Sequence, residues 1–326
     1  MSGDVPGPDV FGNGIISIPI ALSDPHLPYS YCYAIPDANS DVHLIDPGMD
    51  SDANLGALIL GLALGGFTLE MVKTVFVSHL HPDHLGLASR VRTISGARVA
   101  MSRIEQEAIT SLPHRSIEVP ALLDTWGVPP ERREEMLLLG SFRRGTTAFL
   151  ADDVLEDGEP LAIPGRAIDA ILTPGHTAGH LCFVDRDDSI LFSGDHVLPV
   201  IYPGIGLGSV YQPNPIGDYL DSLDAISRLD DFEVAPGHWF RFRGLAERSE
   251  QIRSHHLRRS EEVRAQLMLD PSSTVWAVAE RLTWTAGWAN LRGFYAYSAL
   301  LQTEMHVAYL SRLGATFGRP PPVLRE

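Results

Sequence analysis

Short apolar stretches, each closed by Pro, Gly, Asn or Asp, recur along the first 240 positions, and the pattern then turns helical. Weak alternation at 14–20 and apolar runs at 31–35 and 42–45 predict the opening strands. A helix over about 52–64, a strand at 74–78, a helix from Pro82 to about 94 and a strand at 97–101 follow. Strands at 167–172, 180–185 and 189–193 group into a second sheet, and 232–235 closes the series. Strands alternating with helices indicate an α/β fold, of which several architectures suit this order. The longest apolar run, Leu55 to Phe67, has 13 residues and four glycines. It is too short to span a bilayer and reads as a buried helix.

Chemistry concentrates where the strand at 74–78 ends. The segment Val77-Ser-His-Leu-His-Pro-Asp-His-Leu-Gly86 places His79, His81, Asp83 and His84 within six residues. Side chains two apart on an extended backbone share a face, so His79 and His81 can reach one metal. Pro82 suits the first position of a helix, and the turn it starts aims Asp83 and His84 at a neighbouring point. Imidazoles with a carboxylate are a donor set for Zn²⁺, and this spacing suits two ions better than one. Three later segments offer further ligands after an apolar strand and a turn: His176 after Thr173-Pro-Gly, Asp195 after Ser193-Gly, and His238 after Pro236-Gly. A carboxylate at the position of Asp195 has two oxygens with which to bridge two cations.

The ordered set His79/His81/Asp83/His84, His176, Asp195, His238 resembles the metallo-β-lactamase-fold hydrolase superfamily over roughly residues 12 to 240. The resemblance implies an αββα sandwich. It also implies one metal on His79, His81 and His176, a second on Asp83, His84 and His238, and Asp195 between them. Two divalent ions are expected, Zn²⁺ first, with Fe or Mn as alternatives. Asp46, in Leu44-Ile-Asp-Pro-Gly48, matches a position beneath the metal loop that hydrogen-bonds its backbone. His180 and His196 lie beside ligands and either orient them, contact substrate or make ordinary structural hydrogen bonds. The best-known zinc β-lactamases carry a Cys in the bridging region. Asp195 instead makes the site look like the glyoxalase-II, lactonase and phosphodiesterase side of the superfamily.

Residues 111–147 carry no strand pattern and form a helical insert, with Trp126 and Leu137-Leu-Leu139 as its apolar content. It is expected either to cap the metal cleft or to pack on the flank of the sandwich. The catalytic domain is read as 1–247 and a small helical C-terminal domain as 248–326. Helices at Leu245 to Met268, from about Val275, and from about Phe294 to Leu313 resemble the winged-helix-like appendage of some family members. His255 and His256, like His26, His43, His114 and His306, are expected to be ordinary solvated residues. Tyr29, Tyr31, Trp126, Tyr202, Tyr211 and Trp239 are candidates to line the substrate pocket.

The chain of 326 residues is 44% hydrophobic, enough to bury a sizeable core. Ten Arg stand against seven acidic residues from Arg248 onward, about +3, leaving 15 basic and 34 acidic residues before it, about −19. So acidic a catalytic part disfavours polyanions, so a small-molecule substrate is expected and nucleic acid is not. The C-terminal helices lack a Lys/Arg stripe, and packing beside the active site or homodimerisation suits them better. Cys32 and Cys182 sit in apolar runs and read as buried free thiols. The N-terminal residues show no signal-peptide pattern, so a cytoplasmic protein with no membrane contact is expected. No Gly-x-Ser-x-Gly occurs, which leaves metal-bound hydroxide as the expected nucleophile on a small thioester, lactone or ester, with Asp83 as the catalytic proton carrier. The alternatives are a persulfide dioxygenase with one iron on His79, His176 and Asp195, and a phosphodiesterase or nuclease.

Overall fold

The computed structural model describes residues 5–24, 26–115, 119–137, 150–208 and 212–314, with backbone only for 112–115. Two mixed sheets face each other. The first runs β1 (Asp9–Phe11), β2 (Ile15–Ala21), β3 (Tyr29–Pro36), β4 (Val42–Ile45), β5 (Val72–Phe76), β6 (Arg98–Ser102) and β7 (Asp153–Leu155) in spatial order. Its first four strands pair antiparallel, and β4 to β7 pair parallel. The second has the order β11 (Glu233–Pro236), β10 (Ile190–Gly194), β9 (Leu181–Asp185), β8 (Ile168–Leu172), parallel only between β10 and β11. Every strand read from the sequence is present. The short β1 and β7 carry too few apolar residues to announce themselves.

Alternation along the strands builds three apolar layers. Ile15, Tyr33, Phe76, Phe183, Ile190 and Phe192 meet between the sheets. Ile16, Ile18, Ile20, Leu44 and Val75 face outward beneath α1 (Asp52–Leu64). Cys182, Val184, Leu191 and Val234 pack under α7 (Pro215–Ile226) and the start of α8 (Leu245–Leu269). This is an αββα sandwich, and both cysteines are buried and free within it. The helix α1 is buried on one face only, since Leu58 and Leu62 are covered while Leu60 is 74% exposed. Gly61 sets that packing: a Cβ there would lie 2.6 Å from Ile18 Cγ2, so the helix rests flush on β2.

The helix expected from Pro82 to 94 is two helices, α2 (Pro82–Leu85) and α3 (Ala88–Ser95). The Leu87 N–H donates to Gly48 O at 2.8 Å, outside the helix, which interrupts the i to i−4 ladder. A Cβ on Gly86 would meet Pro82 O at 2.5 Å and Asp50 N at 2.6 Å, so only glycine permits this approach.

The described helices of the insert pack on the C-terminal helices. After α4 (Arg103–Arg115), α5 (Val119–Trp126) and α6 (Pro130–Leu137) share a core with α9 (Val275–Glu280) and α10 (Gly293–Arg312). The chain from 138 to 147 lies outside the described residues. The helix α8 runs unbroken across position 247 and joins the layer under the second sheet to the C-terminal helices. Among the described residues the C-terminal region holds helices and no strand. No helix there or elsewhere in the described residues is long and apolar enough to cross a membrane.

Candidate metal centre

Segments that follow strand ends carry all seven side chains singled out as ligands. His79 and His81 follow β5, Asp83 and His84 lie on α2, and His176, Asp195 and His238 follow β8, β10 and β11. His81 Nδ1 lies 2.9 Å from His79 Nε2 and 3.1 Å from His176 Nε2. The outer nitrogens fix the tautomers. His81 Nε2–H donates to Leu207 O at 3.1 Å and His176 Nδ1–H to Gly204 O at 2.7 Å. His79 Nδ1–H donates to Ser78 Oγ at 2.9 Å, whose own proton goes to Asp46 Oδ2 at 2.6 Å. Three lone pairs therefore face one another with no proton between them. A cation relieves that repulsion, and tetrahedral Zn²⁺ would set its nitrogens about 3.3 Å apart.

A second cluster adjoins the first. His238 Nε2 lies 3.4 Å from Asp83 Oδ2 and 3.3 Å from Asp195 Oδ1, and His84 Nε2 lies 3.4 Å from Asp195 Oδ1. Asp195 Oδ2 points the other way, 3.7 Å from His176 Nε2. The groups close enough to hold ions are thus His79/His81/His176, His79/His84/Asp195 and Asp83/His84/His238. His84 Nε2, His238 Nε2 and Asp195 Oδ1 are buried without a hydrogen-bond partner. Buried polar atoms left unpaired cost about 1–3 kcal/mol each, and a divalent ion would satisfy all three.

The electrostatics divide the clusters. Burial, then the other imidazoles, lowers His79 well below its ordinary value, and burial likewise holds His176 down to about 4. Burial lowers His81 too. These rings are neutral at pH 7, as ligation requires. Burial alone would lower His238 and His84 as well, but Asp195 and Asp83 outweigh it, with Asp46 adding to the effect on His84. His238 rises to about 10 and His84 well above its usual range. Asp83 and Asp195 are in turn held below theirs by His84 and His238, against burial.

The Metallo-beta-lactamase superfamily profile matches residues 27–238, from β3 to the last of these histidines. The chain belongs to that superfamily. It is 34% identical to the lactamase-like protein nscB of Aspergillus fumigatus over 89 residues, 27% of this chain and 24% of that protein. The chain thus spans about a quarter of that relative's length. It is 27% identical to the hydroxyacylglutathione hydrolase GloC of Haemophilus influenzae over 64% of this chain and 84% of that one. Against the acyl-coenzyme A thioesterase MBLAC2 of Gallus gallus the identity is 28% over 55% of this chain and 60% of that one. A metallo-beta-lactamase family protein from Thermus thermophilus superposes with a TM-score of 0.78 at 28% identity, over 95% of this chain and 97% of the other.

Beside these clusters, Asp46 occupies a left-handed turn, φ 53°. It accepts from the Ser78 N–H at 2.7 Å, from Ser78 Oγ and from His84 Nδ1–H at 2.8 Å. His180 donates from Nδ1 to Thr173 Oγ1 at 2.9 Å, and its Nε2 accepts the Asp195 N–H at 3.2 Å. His196 is fully buried with neither ring nitrogen hydrogen-bonded, packed edge-on against Tyr219. Sequence reasoning overlooked Glu105. Its buried carboxylate accepts from the Leu80 N–H and the Gly179 N–H, both at 2.8 Å, and so ties the His79/His81 loop to the segment after His176. An acid at the start of a helix was the only signal available.

The aromatic candidates separate. Tyr29 and Tyr31 pack edge-to-face 5.3 Å apart, Tyr29 O accepts from His238 Nδ1–H, and Tyr29 OH donates to Trp239 O. These three half-buried rings flank the second cluster. Trp126 does not line the cleft: it is fully buried against Tyr297 in the core of the C-terminal helices, which offers a substrate no surface. Tyr202 stacks on His255, away from the ligands. Tyr211 lies outside the described residues. Three histidines expected in solvent are buried: His43 beside Asp37, and His256 and His306 between helices. His26 is exposed, and the side chain of His114 lies outside the described residues.

Proposed function

We propose that this chain hydrolyses a small thioester, lactone or ester with two divalent metal ions. His79, His81 and His176 would hold one ion, Asp83, His84 and His238 the other, and Asp195 would be shared. The observation that carries this reading is the second cluster: two imidazole nitrogens and a carboxylate oxygen, buried and unpartnered, beside a complete set of three histidines. Divalent ions held by these residues would supply a hydroxide nucleophile at neutral pH and polarise a carbonyl. With the five imidazoles neutral, the two carboxylates would offset only half the charge of two such ions, and the site would favour an oxygen that gains negative charge during reaction. The Asp83 side chain is 20% exposed, against 9% for Asp195. We give Asp83, the more exposed of the two carboxylates, the role of passing a proton to the leaving group.

The acyl class rests on the relatives named as a hydroxyacylglutathione hydrolase and an acyl-coenzyme A thioesterase. The rim of Tyr29, Tyr31 and Trp239 suits an apolar acyl chain or ring. Metal analysis of protein purified without added metal tests the proposal, with His81→Ala and Asp195→Ala alongside. About two zinc per chain, reduced in both variants, with thioester hydrolysis lost on chelation and restored by Zn²⁺ or Mn²⁺, is the expected result. A single iron per chain, or activity indifferent to chelation, would overturn it.

A further inference from the structure

A second cavity lies away from all seven proposed ligands, and the function above makes no use of it. It encloses about 470 Å³ between the segment after Asp195 and the helices α8 and α10. His255 and Arg259 sit one turn apart on α8, as Gln302 and His306 do on α10, so each helix turns one polar face to the cavity. The Tyr202 ring stacks on His255 at 3.9 Å with the planes 4° apart, and Trp284 forms another wall. Arg248 pins the segment from outside, donating to Leu198 O and Ile201 O at 2.7 Å each with its guanidinium 5.0 Å from the Tyr202 ring.

The charge is the unexpected part. In a chain of formal charge −16, no lining residue is acidic, and one is an arginine. Arg259 lies over Trp284 at 4.5 Å and spends one N–H on Glu262 and one on Thr283 O, two of the five a guanidinium carries. Burial, then Arg259, Arg258 and Arg248, holds His255 down to about 4, and burial, then Arg259, holds His306 down to about 3. The arginines' share of that lowering is a positive field, and it favours an anion. His256 Nε2, buried on the same helix, has no hydrogen-bond partner.

We propose that this cavity binds a small anion bearing a flat ring, its carboxylate or phosphate on Arg259 and its ring against Tyr202 and Trp284. Charge-assisted hydrogen bonds to a guanidinium and stacking on an aromatic face are complementary halves of such recognition. The site is distinct from the metal centre but shares a segment with it. Val200 to Tyr202 wall the cavity, and a few residues on, Gly204 O and Leu207 O hold His176 and His81.

Calorimetric titration of the full chain, stripped of metal so that the metal centre cannot take the probe, tests this whether or not the protein is a hydrolase. The probes are 2-naphthoate, 2-naphthyl phosphate, neutral 2-naphthamide and inorganic phosphate. One equivalent of a naphthyl anion should bind, with naphthamide and inorganic phosphate each at least about tenfold weaker. Binding of only one of the two anions supports the site and fixes its group. Arg259→Gln should weaken the anion at least tenfold. Tyr202→Ala, at a position 41% exposed and therefore tolerant of truncation, should weaken both ring-bearing classes. Naphthamide binding as tightly as the anions, no binding of either anion, or indifference to both substitutions would overturn the proposal.

Discussion

At the scale of single residues, the centre depends on acceptors that never touch a metal. Asp46 takes three hydrogen bonds, two from Ser78 and one from His84. An amide in its place keeps one acceptor oxygen and turns a donor toward groups that are themselves donors. Asp46→Asn should therefore leave the fold intact and lower metal affinity by about 10–100-fold, the range such supporting partners command. Competition with a chromophoric chelator measures it, and unchanged affinity would remove Asp46 from the centre. The seven proposed ligands were legible because each announces itself locally, through a crowded His-x-His-x-Asp-His or a Pro-Gly or Ser-Gly turn at a strand end. Glu105 and the carbonyls of Gly204 and Leu207 were not, because their partners lie 25, 28 and 126 residues away and a carbonyl has no letter in a sequence.

At the scale of elements, the metal loop is held by backbone docking. The break between α2 and α3 exists because Gly86 lies against the turn at Gly48, where Gly48 N–H donates to His84 O and Leu87 N–H to Gly48 O. The atoms a methyl would meet are backbone, Pro82 O at 2.5 Å, Asp50 N at 2.6 Å and Gly48 O at 2.9 Å, and none can rotate away. Gly86→Ala should thus destabilise the protein by about 1–3 kcal/mol, as overpacking does, and lower occupancy of the Asp83/His84/His238 cluster before the other. Urea denaturation and metal stoichiometry on one preparation decide it, and a wild-type midpoint would refute the docking argument. Periodicity read one helix from Pro82 to 94, since both halves keep an apolar face, and the break comes from a contact with a turn some 40 residues earlier. The helix α7 was missed although Ile216, Tyr219, Leu220, Leu223 and Ile226 recur at helical spacing along its buried face.

At the scale of the whole molecule, the site trades folding stability against metal affinity through its protons. His238, raised to about 10 by Asp195 and Asp83 against burial, binds its proton more tightly folded than unfolded, where imidazole titrates near 6.5. Its contribution is fully present below about pH 6.5 and is lost as pH rises through 10, and His84 acts in the same direction. His176, held down to about 4, works oppositely: the unfolded chain takes up its proton first, so stability falls as pH drops from about 6.5 toward 4. The metal-free protein should therefore be most stable near pH 6.5 and weaken on either side. Metal needs neutral imidazoles, so protons on His84 and His238 compete with it and apparent affinity climbs over the alkaline half of that range. A site with free metal at 100 times its Kd adds about 2.7 kcal/mol. The gap in Tm between metal-loaded and chelated protein should consequently widen from pH 6.5 to 9, as the metal-free form weakens while metal binding strengthens. Thermal melts of both forms across pH 5 to 9 measure it. A chelated protein whose Tm stays flat above pH 6.5 would show that the two carboxylates do not hold protons on these histidines.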